Sequence, residues 1–341
     1  MATLYNQYRP KTFGDVVGQE FTTRALSNQT ENGTVSHAYL FHGPRGTGKT
    51  TTARILANAV CCGEGSEPCL DCDICWDFAN DEYVDLIELD AASRGGVDYA
   101  RAITEFVQHL PVMGQYKIII IDEAHMLSKS AANALLKTIE EPPEGVIFCL
   151  CTTEVHNIIP TIRSRCQEYK LRLLNTHDLL GLLRSILTKE EKHLEDEVLN
   201  LLIRKAEGSP RDAISQMETA LSLDIQDYTE ISRILYGMDP LGIDTLLSAI
   251  NTGDSRKWAD YVKNYGVNLD IVAEAIQDFH SQLLGLKNTL FDYEELAFIL
   301  RQLNNAYAQA KKEDTLAIVS SIILLAVKHI TDNVEVLEPD F

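Results

Sequence analysis

Four short runs of apolar residues stand out in the first half of the chain: "AYLFHG", "VDLIELD", "KIIIID" and "GVIFCLCTT". Their apolar character is near-continuous, the pattern of parallel strands buried on both faces. The stretches between them, Lys49–Ala59, Gly96–His109 and Lys129–Glu140, read as helices. Strand and helix therefore alternate, which predicts an α/β domain over residues 1–172: a parallel sheet with helices on both faces. The tandem prolines of "EEPPEG" close the third of these helices, because proline cannot continue one.

From about Asn175 the strand pattern stops. "THDLLGLLRSILTKE", "EDEVLNLLIRKAEG" and "SPRDAISQMETALSL" repeat apolar residues at three- and four-residue spacing, as amphipathic helices do. Thr176 and Ser209 are the expected N-caps of two of them. A second boundary is expected near "YGMDPLG". Beyond it "LDIVAEAIQDFHSQLLGL", "YEELAFILRQLNNAYAQA" and "TLAIVSSIILLAVKHI" read as further helices. The expected layout is an α/β domain at 1–172, a small helical domain at 173–238 and an all-α domain at 239–341. No internal repeat or low-complexity tract interrupts it.

The 341 residues suffice for two or three domains, each with its own core. The longest apolar stretch, "LAIVSSIILLAV", is too short to span a bilayer. The start, "MATLYNQYRPKTF", lacks the basic-then-apolar pattern of an export signal. A cytoplasmic protein with no membrane partner is expected. The net charge of −20 argues against a protein that coats nucleic acid. It does not exclude local contact, since Lys and Arg are frequent between Arg94 and Arg211 while the segment from Gly242 is acidic.

Chemistry concentrates first in "GPRGTGKT", Gly43 to Thr50, which follows the first strand and opens a helix. This is the G-x4-G-K-[ST] phosphate-binding loop in its required strand–loop–helix setting. Glycines let the nucleotide-binding loop of Gly43, Pro44, Arg45, Gly46, Thr47 and Gly48 turn its backbone N–H groups, which Pro44 alone lacks, toward phosphate oxygens. Lys49 supplies the cation, Thr50 a Mg²⁺ ligand, and Thr51 continues the helix N-terminus. "KIIIIDEAH" supplies the partner acids. Asp122 ends a buried strand, where ligands bind in such sheets, and can hold Mg²⁺; Glu123 can polarise an attacking water. Thr153, just past "VIFCLC", can touch the γ-phosphate or that water. Phosphoryl transfer needs cations besides the lysine, and Arg163, Arg165 and Arg211 are the candidates.

Together "YRPKTFGDVVGQE", "GPRGTGKT", "IIIIDEAHMLSKSAANALLKTIEEPPEG", "SRC" and "EGSPRDA" resemble the AAA+ clamp-loader ATPases, in particular the gamma/tau subunits of bacterial DNA polymerase III. The resemblance is strong over the first 220 or so residues and rests on layout alone thereafter. It implies an ATP-hydrolysing motor subunit that uses ATP and Mg²⁺. That motor would act in a pentameric loader with delta- and delta-prime-type subunits, a sliding clamp, primer–template DNA and the replicative polymerase. By resemblance Arg165 is a trans-acting arginine finger, Arg211 is sensor 2 and Thr153 is sensor 1. Arg9 and Val17 belong to segments flanking the adenine, and the all-α domain is an oligomerisation collar. The chain ends at "LEPDF", without the linker and polymerase-binding tail of full-length tau proteins; a short natural form and a trimmed chain both fit that ending.

The same resemblance gives meaning to "AVCCGEGSEPCLDCDIC". Clustered cysteines in a reducing compartment favour a metal over disulfides. Cys69, Cys72 and Cys75 form C-x2-C-x2-C, and either Cys61 or Cys62 could complete a set of four thiolates. Gamma/tau proteins carry a zinc module after the phosphate-loop helix, here about residues 61–76, and their ligand pattern points to Cys62. Four thiolates imply a closed, structural Zn²⁺ site; an iron–sulfur cluster is the rival, with similar spacing. Cys149, Cys151 and Cys166 read as core or strand-end residues. Ser93–Arg94 and Ser128–Lys129 are expected to open helices that face DNA. Two rivals to the motor reading are a helicase or branch-migration AAA+ motor and a non-hydrolysing scaffold subunit. The cysteine module and "SRC" disfavour the first, and intact Lys49, Thr50, Asp122 and Glu123 the second.

Overall fold

In the computed structural model the described residues are 3–223, 230–232, 240–252, 256, 258, 260, 269–284, 291 and 293–310. The chain divides into two compact units, Met1–Leu223 and Asp224–Phe341. No helix among the described residues is long and apolar enough to cross a membrane.

The first unit is built on a five-stranded, all-parallel sheet in the order β2-β3-β4-β1-β5. Its strands are β1 (Ala38–His42), β2 (Leu86–Asp90), β3 (Lys117–Asp122), β4 (Val146–Thr152) and β5 (Gln167–Lys170). The helices before and around it are α1 (Leu4–Gln7), α2 (Glu20–Glu31), α3 (Lys49–Cys62), α4 (Asp73–Ala79), α5 (Ala91–Arg94), α6 (Val97–Phe106), α7 (Lys129–Glu140) and α8 (Pro160–Arg163). Side chains alternate across the sheet with period two, so one strand feeds two cores. Tyr39, Phe41, Ile118, Ile120, Ile147 and Cys149 pack with α2 and α3. Leu40, Ile119, Ile121, Phe148 and Leu150 pack with α6, α7 and α8. Burial on both faces is what the near-continuous apolar runs of β1, β3 and β4 require, whereas β2, expected to be buried likewise, lies at the other sheet edge with only Leu89 buried.

The pattern did not reveal β5. "QEYK" buries only Tyr169 and lies at the sheet edge beside β1, so it needs no apolar run. Two expected helix starts also differ. Asn175, not Thr176, caps α9 (Thr176–Lys189): its Oδ1 accepts the Asp178 N–H at 2.8 Å, and Thr176 occupies the first helical position. Ser93 and Arg94 close the one-turn α5 rather than opening a helix, because Asp90 takes the cap and accepts the Ala92 N–H at 2.9 Å. Gly96 then opens α6. Ser128 does cap α7, accepting the Ala131 N–H at 3.1 Å, and Ser209 caps α11 (Pro210–Ser222), accepting the Asp212 N–H at 3.2 Å.

Helices α9, α10 (Asp196–Ala206) and α11 pack on one another through Leu179, Leu183, Val198, Leu202, Ala213 and Met217, all buried. The second unit has its own core. There α12 (Pro240–Thr252), α13 (Leu269–Leu283) and α14 (Tyr293–Ala310) gather Leu246, Ile250, Trp258, Val272, Phe279, Ile299 and Leu303. The segment "TLAIVSSIILLAVKHI", expected to be a helix, and most of "YGMDPLG", where a boundary is expected, lie outside the described residues.

Candidate nucleotide site and cysteine cluster

The phosphate loop lies at the C-terminal end of β1, flanked by β4 and β5, the end at which parallel sheets bind ligands. Its glycines are required by space and by conformation. Gly46 has φ +77°, and a Cβ there would lie 2.1 Å from Ser209 Oγ. A Cβ on Gly43 would lie 2.2 Å from the Leu171 carbonyl oxygen. Thr47 Oγ1 donates to the Pro44 carbonyl at 2.9 Å and fixes the turn. Lys49 is only 6% exposed, and its Nζ donates to the carbonyls of Gly43 at 3.0 Å and Pro44 at 2.8 Å. Burial lowers its pKa, while Glu123 and Asp122 act to raise it.

From Lys49 the helix α3 carries Thr50 to the acids. Thr50 Oγ1 donates to Asp122 Oδ2 at 2.8 Å, and the Glu123 N–H donates to Asp122 Oδ1 at 2.9 Å. Thr153 Oγ1 donates to Glu123 Oε2 at 3.1 Å. The fold thus joins Thr50, Asp122, Glu123 and Thr153 in one chain of hydrogen bonds beside Lys49. Glu123 has φ +46°, a left-handed conformation that costs a non-glycine residue energy and concentrates at functional sites. The sequence reading missed His125. Its Nδ1 is 2.9 Å from Thr152 Oγ1 and 3.4 Å from Glu123 Oε2, and its Nε2 is 3.9 Å from Glu154 Oε1. A single histidine after two acids carries no periodic signal that would have marked it.

Of three further candidates, Arg9 and Arg211 border the loop. Arg9 Nε donates to Thr51 Oγ1 at 3.1 Å, and burial lowers its pKa. Val17 is half-buried in a segment clasped to Arg172: Gln19 Nε2 donates to the Arg172 carbonyl at 2.7 Å and Arg172 Nε to the Gly18 carbonyl at 3.1 Å. Arg211 enters through its backbone position, since a Cβ on Gly46 would lie 3.6 Å from its Cβ; its guanidinium stacks over Tyr5, 4.6 Å from the ring centroid. Arg165 is not part of this group. It pairs with Glu140 at 2.9 Å and donates to the Thr161 carbonyl at 2.8 Å.

The cysteine cluster forms where α3 ends at Gly63, whose φ of +68° suits a helix-ending glycine. Cys62, Cys69, Cys72 and Cys75 have their Sγ atoms all within 4.8 Å of one another. Cys62 and Cys72 are 3.8 Å apart, and Cys69 and Cys75 3.9 Å. Four sulfurs bound tetrahedrally to zinc at about 2.3 Å stand about 3.8 Å apart, so this donor set fits Zn²⁺. The Asp71 and Cys72 N–H groups pull the Cys69 thiol down to about 7, while burial pushes Cys62 and Cys75 up. Cys61 points the other way, into the core, with its Sγ 3.9 Å from the Tyr116 carbonyl and its pKa pushed up to about 12 by burial. Cys149 and Cys151 are fully buried strand residues.

A parallel sheet with a phosphate loop after β1 and an Asp-Glu pair after β3 defines a P-loop nucleoside-triphosphatase-like unit of the AAA+ kind. The fold is similar to the Thermotoga maritima RuvB Holliday junction branch migration motor, with a TM-score of 0.50 and 20% identity over 78% of this chain and 88% of that one. A family model described as "DNA polymerase III, delta subunit" matches residues 18–175. The chain is 44% identical over 236 residues to DNA polymerase III subunit gamma/tau of Mycobacterium tuberculosis, covering 68% of this chain and 41% of that one. It is 40% identical over 295 residues to subunit tau of Bacillus subtilis, covering 86% and 51%. It is 39% identical over 287 residues to subunit gamma of Buchnera aphidicola, covering 81% and 77%. The chain belongs to the DNA polymerase III subunit gamma/tau family. It spans about two fifths of the length of the M. tuberculosis relative. The likeness to the B. subtilis protein is longer than the first unit and so reaches into the second, where the sequence reading had relied on layout alone.

Proposed function

We propose that this chain is the ATP-hydrolysing motor subunit of a replicative clamp loader, which opens a sliding clamp and loads it onto primer–template DNA. The observation that carries this reading is the hydrogen-bonded chain Thr50–Asp122–Glu123–Thr153 beside a buried Lys49. In the proposed reaction ATP lies on the loop from Gly43 to Thr51, with Arg9 and Val17 beside the adenine. Thr50 and Asp122 would hold Mg²⁺, which supplies charge neutralisation between the phosphates. Lys49 holds the β- and γ-phosphates, and Glu123 takes the role of polarising the attacking water. Thr153 orients Glu123 and reads the γ-phosphate; Arg211 closes over the nucleotide from the helical segment. Arg165 belongs in this reading to the site of a neighbouring subunit.

Cys62, Cys69, Cys72 and Cys75 hold a structural Zn²⁺ in the same proposal. Residues 1–172, 173–238 and 239–341 act as nucleotide domain, lid and oligomerisation collar. The partners are delta- and delta-prime-type subunits, the clamp, primed DNA and the polymerase, in a pentamer in the cytoplasm. The test is ATP hydrolysis by the assembled loader with and without primed DNA plus clamp. Turnover that rises when both are added is the expected result. Turnover indifferent to them would point to another AAA+ motor, and none at all to a scaffold subunit.

A further inference from the structure

Arg163 and Arg165 leave one turn in different directions. Arg163 forms a two-pronged pair with Glu168 of β5, through Nε at 2.7 Å and Nη2 at 3.0 Å, and so ties the turn to the sheet edge. Arg165 reaches instead to the C-terminal end of α7. Its Nη2 meets Glu140 Oε1 at 2.9 Å, and its Nη1 donates to the Thr161 carbonyl at 2.8 Å and to Ser164 Oγ at 3.3 Å. These anchors lie on two elements, α7 and α8, which pack together. They fix the guanidinium plane while 38% of the side chain stays exposed.

Glu140 is the last residue of α7, where a carboxylate opposes the helix dipole. Its position is therefore unfavourable for the helix alone and becomes favourable through the cation it meets. A half-exposed pair of this kind adds little to stability. Its larger effect is on order: an unanchored arginine samples many rotamers, and an anchored one has lost that freedom before it meets a phosphate.

We infer that Glu140 is a positioning residue that presents Arg165 to the nucleotide of the neighbouring subunit. The inference rests on the trans reading of Arg165 given above. It does not require Arg165 to leave Glu140, because 38% of the Arg165 side chain stays exposed while the pair is made.

The test uses the full chain in the assembled loader, with ATP, primed DNA and clamp. Glu140→Gln should lower kcat about tenfold, less than the roughly hundredfold that an ångström of misplacement can cost. KM for ATP and the melting temperature should stay unchanged. Glu140→Asp, which keeps the charge, should recover part of the loss. In the Arg165→Ala background Glu140→Gln should cost nothing further. A normal kcat for Glu140→Gln beside an impaired Arg165→Ala would overturn this inference and leave the trans reading intact. So would a raised kcat, which would make the pair a restraint, or an equal loss with and without Arg165. Normal hydrolysis by Arg165→Ala would remove the trans reading and this inference with it.

Discussion

Lys49 and Glu123 stand on either side of the same chemistry and should fail differently. The Lys49 ammonium is buried and bonded to two neutral carbonyls, Gly43 and Pro44. Burial lowers its pKa against the raising influence of Glu123 and Asp122, and an anionic phosphate would favour its charged form further. Lys49→Ala removes a charged hydrogen bond worth about 1.5–3 kcal/mol, and ATP affinity should fall by roughly ten- to a hundredfold. Glu123→Gln keeps the shape and the Thr153 contact but removes the charge proposed to polarise water. It should bind ATP normally and lose roughly a hundredfold or more in turnover, the usual scale for a general base. Equilibrium ATP binding and phosphate release measured on both variants separate the two effects; normal turnover by Glu123→Gln would take the role away from that residue. His125 shows where reading by motif stops. Its importance is positional, between Glu123, Thr152 and Glu154, and β3 and β4 bring those residues together only in the folded sheet.

The cysteine segment separates two residues that the sequence left adjacent. Cys61 and Cys62 are consecutive on the last turn of α3, about 100° apart around a helix of 3.6 residues per turn, so one faces the core and one the cluster. That angle is implicit in the sequence, but which face is which depends on where the sheet lies. Purified protein should contain about one zinc per chain, the count that four thiolates in one closed site require. Cys72→Ser should lose it. Cys61→Ser should keep the zinc and instead lower stability by about 1–3 kcal/mol, since it places a hydroxyl in an apolar core. Metal analysis with thermal melts reads both, and zinc lost with Cys61→Ser but kept with Cys72→Ser would reverse the assignment. The same dependence on context explains the elements the sequence showed and those it hid. The apolar strands β1, β3 and β4 were legible because both faces are buried. The edge strand β5 was not, because one buried tyrosine leaves no pattern. Helix α2 buries only Thr22, Thr23 and Leu26, too few apolar positions to mark a stripe. The caps at Asn175 and Asp90 were missed because neighbouring Thr and Ser are equally good capping residues in isolation.

Across the chain, the nucleotide set and Arg165 belong to the same unit, yet the contacts of Arg165 run to Glu140, Thr161 and Ser164 rather than to the loop of its own site. In the proposed reading an arginine so placed serves the phosphate of a second subunit, and this gives a prediction that no single-chain defect would mimic. Arg165→Ala should bind ATP almost normally yet hydrolyse it poorly in the assembled loader. Arginine fingers in other systems are worth roughly three to five orders of magnitude, less where further cations share the charge. Lys49→Ala should fail at binding. Arg211→Ala should weaken the response of its own chain, because its Cβ borders Gly46 of the same loop. Mixing Arg165→Ala with Lys49→Ala protein in one assembly creates interfaces that pair an intact arginine from one chain with an intact loop from the other. Some turnover should then return, although each variant alone is nearly inactive. Phosphate release across a series of mixing ratios measures it, with co-assembly checked by light scattering. If the variants co-assemble and no ratio restores turnover, Arg165 acts within its own chain or not at all, and the trans role must be given up.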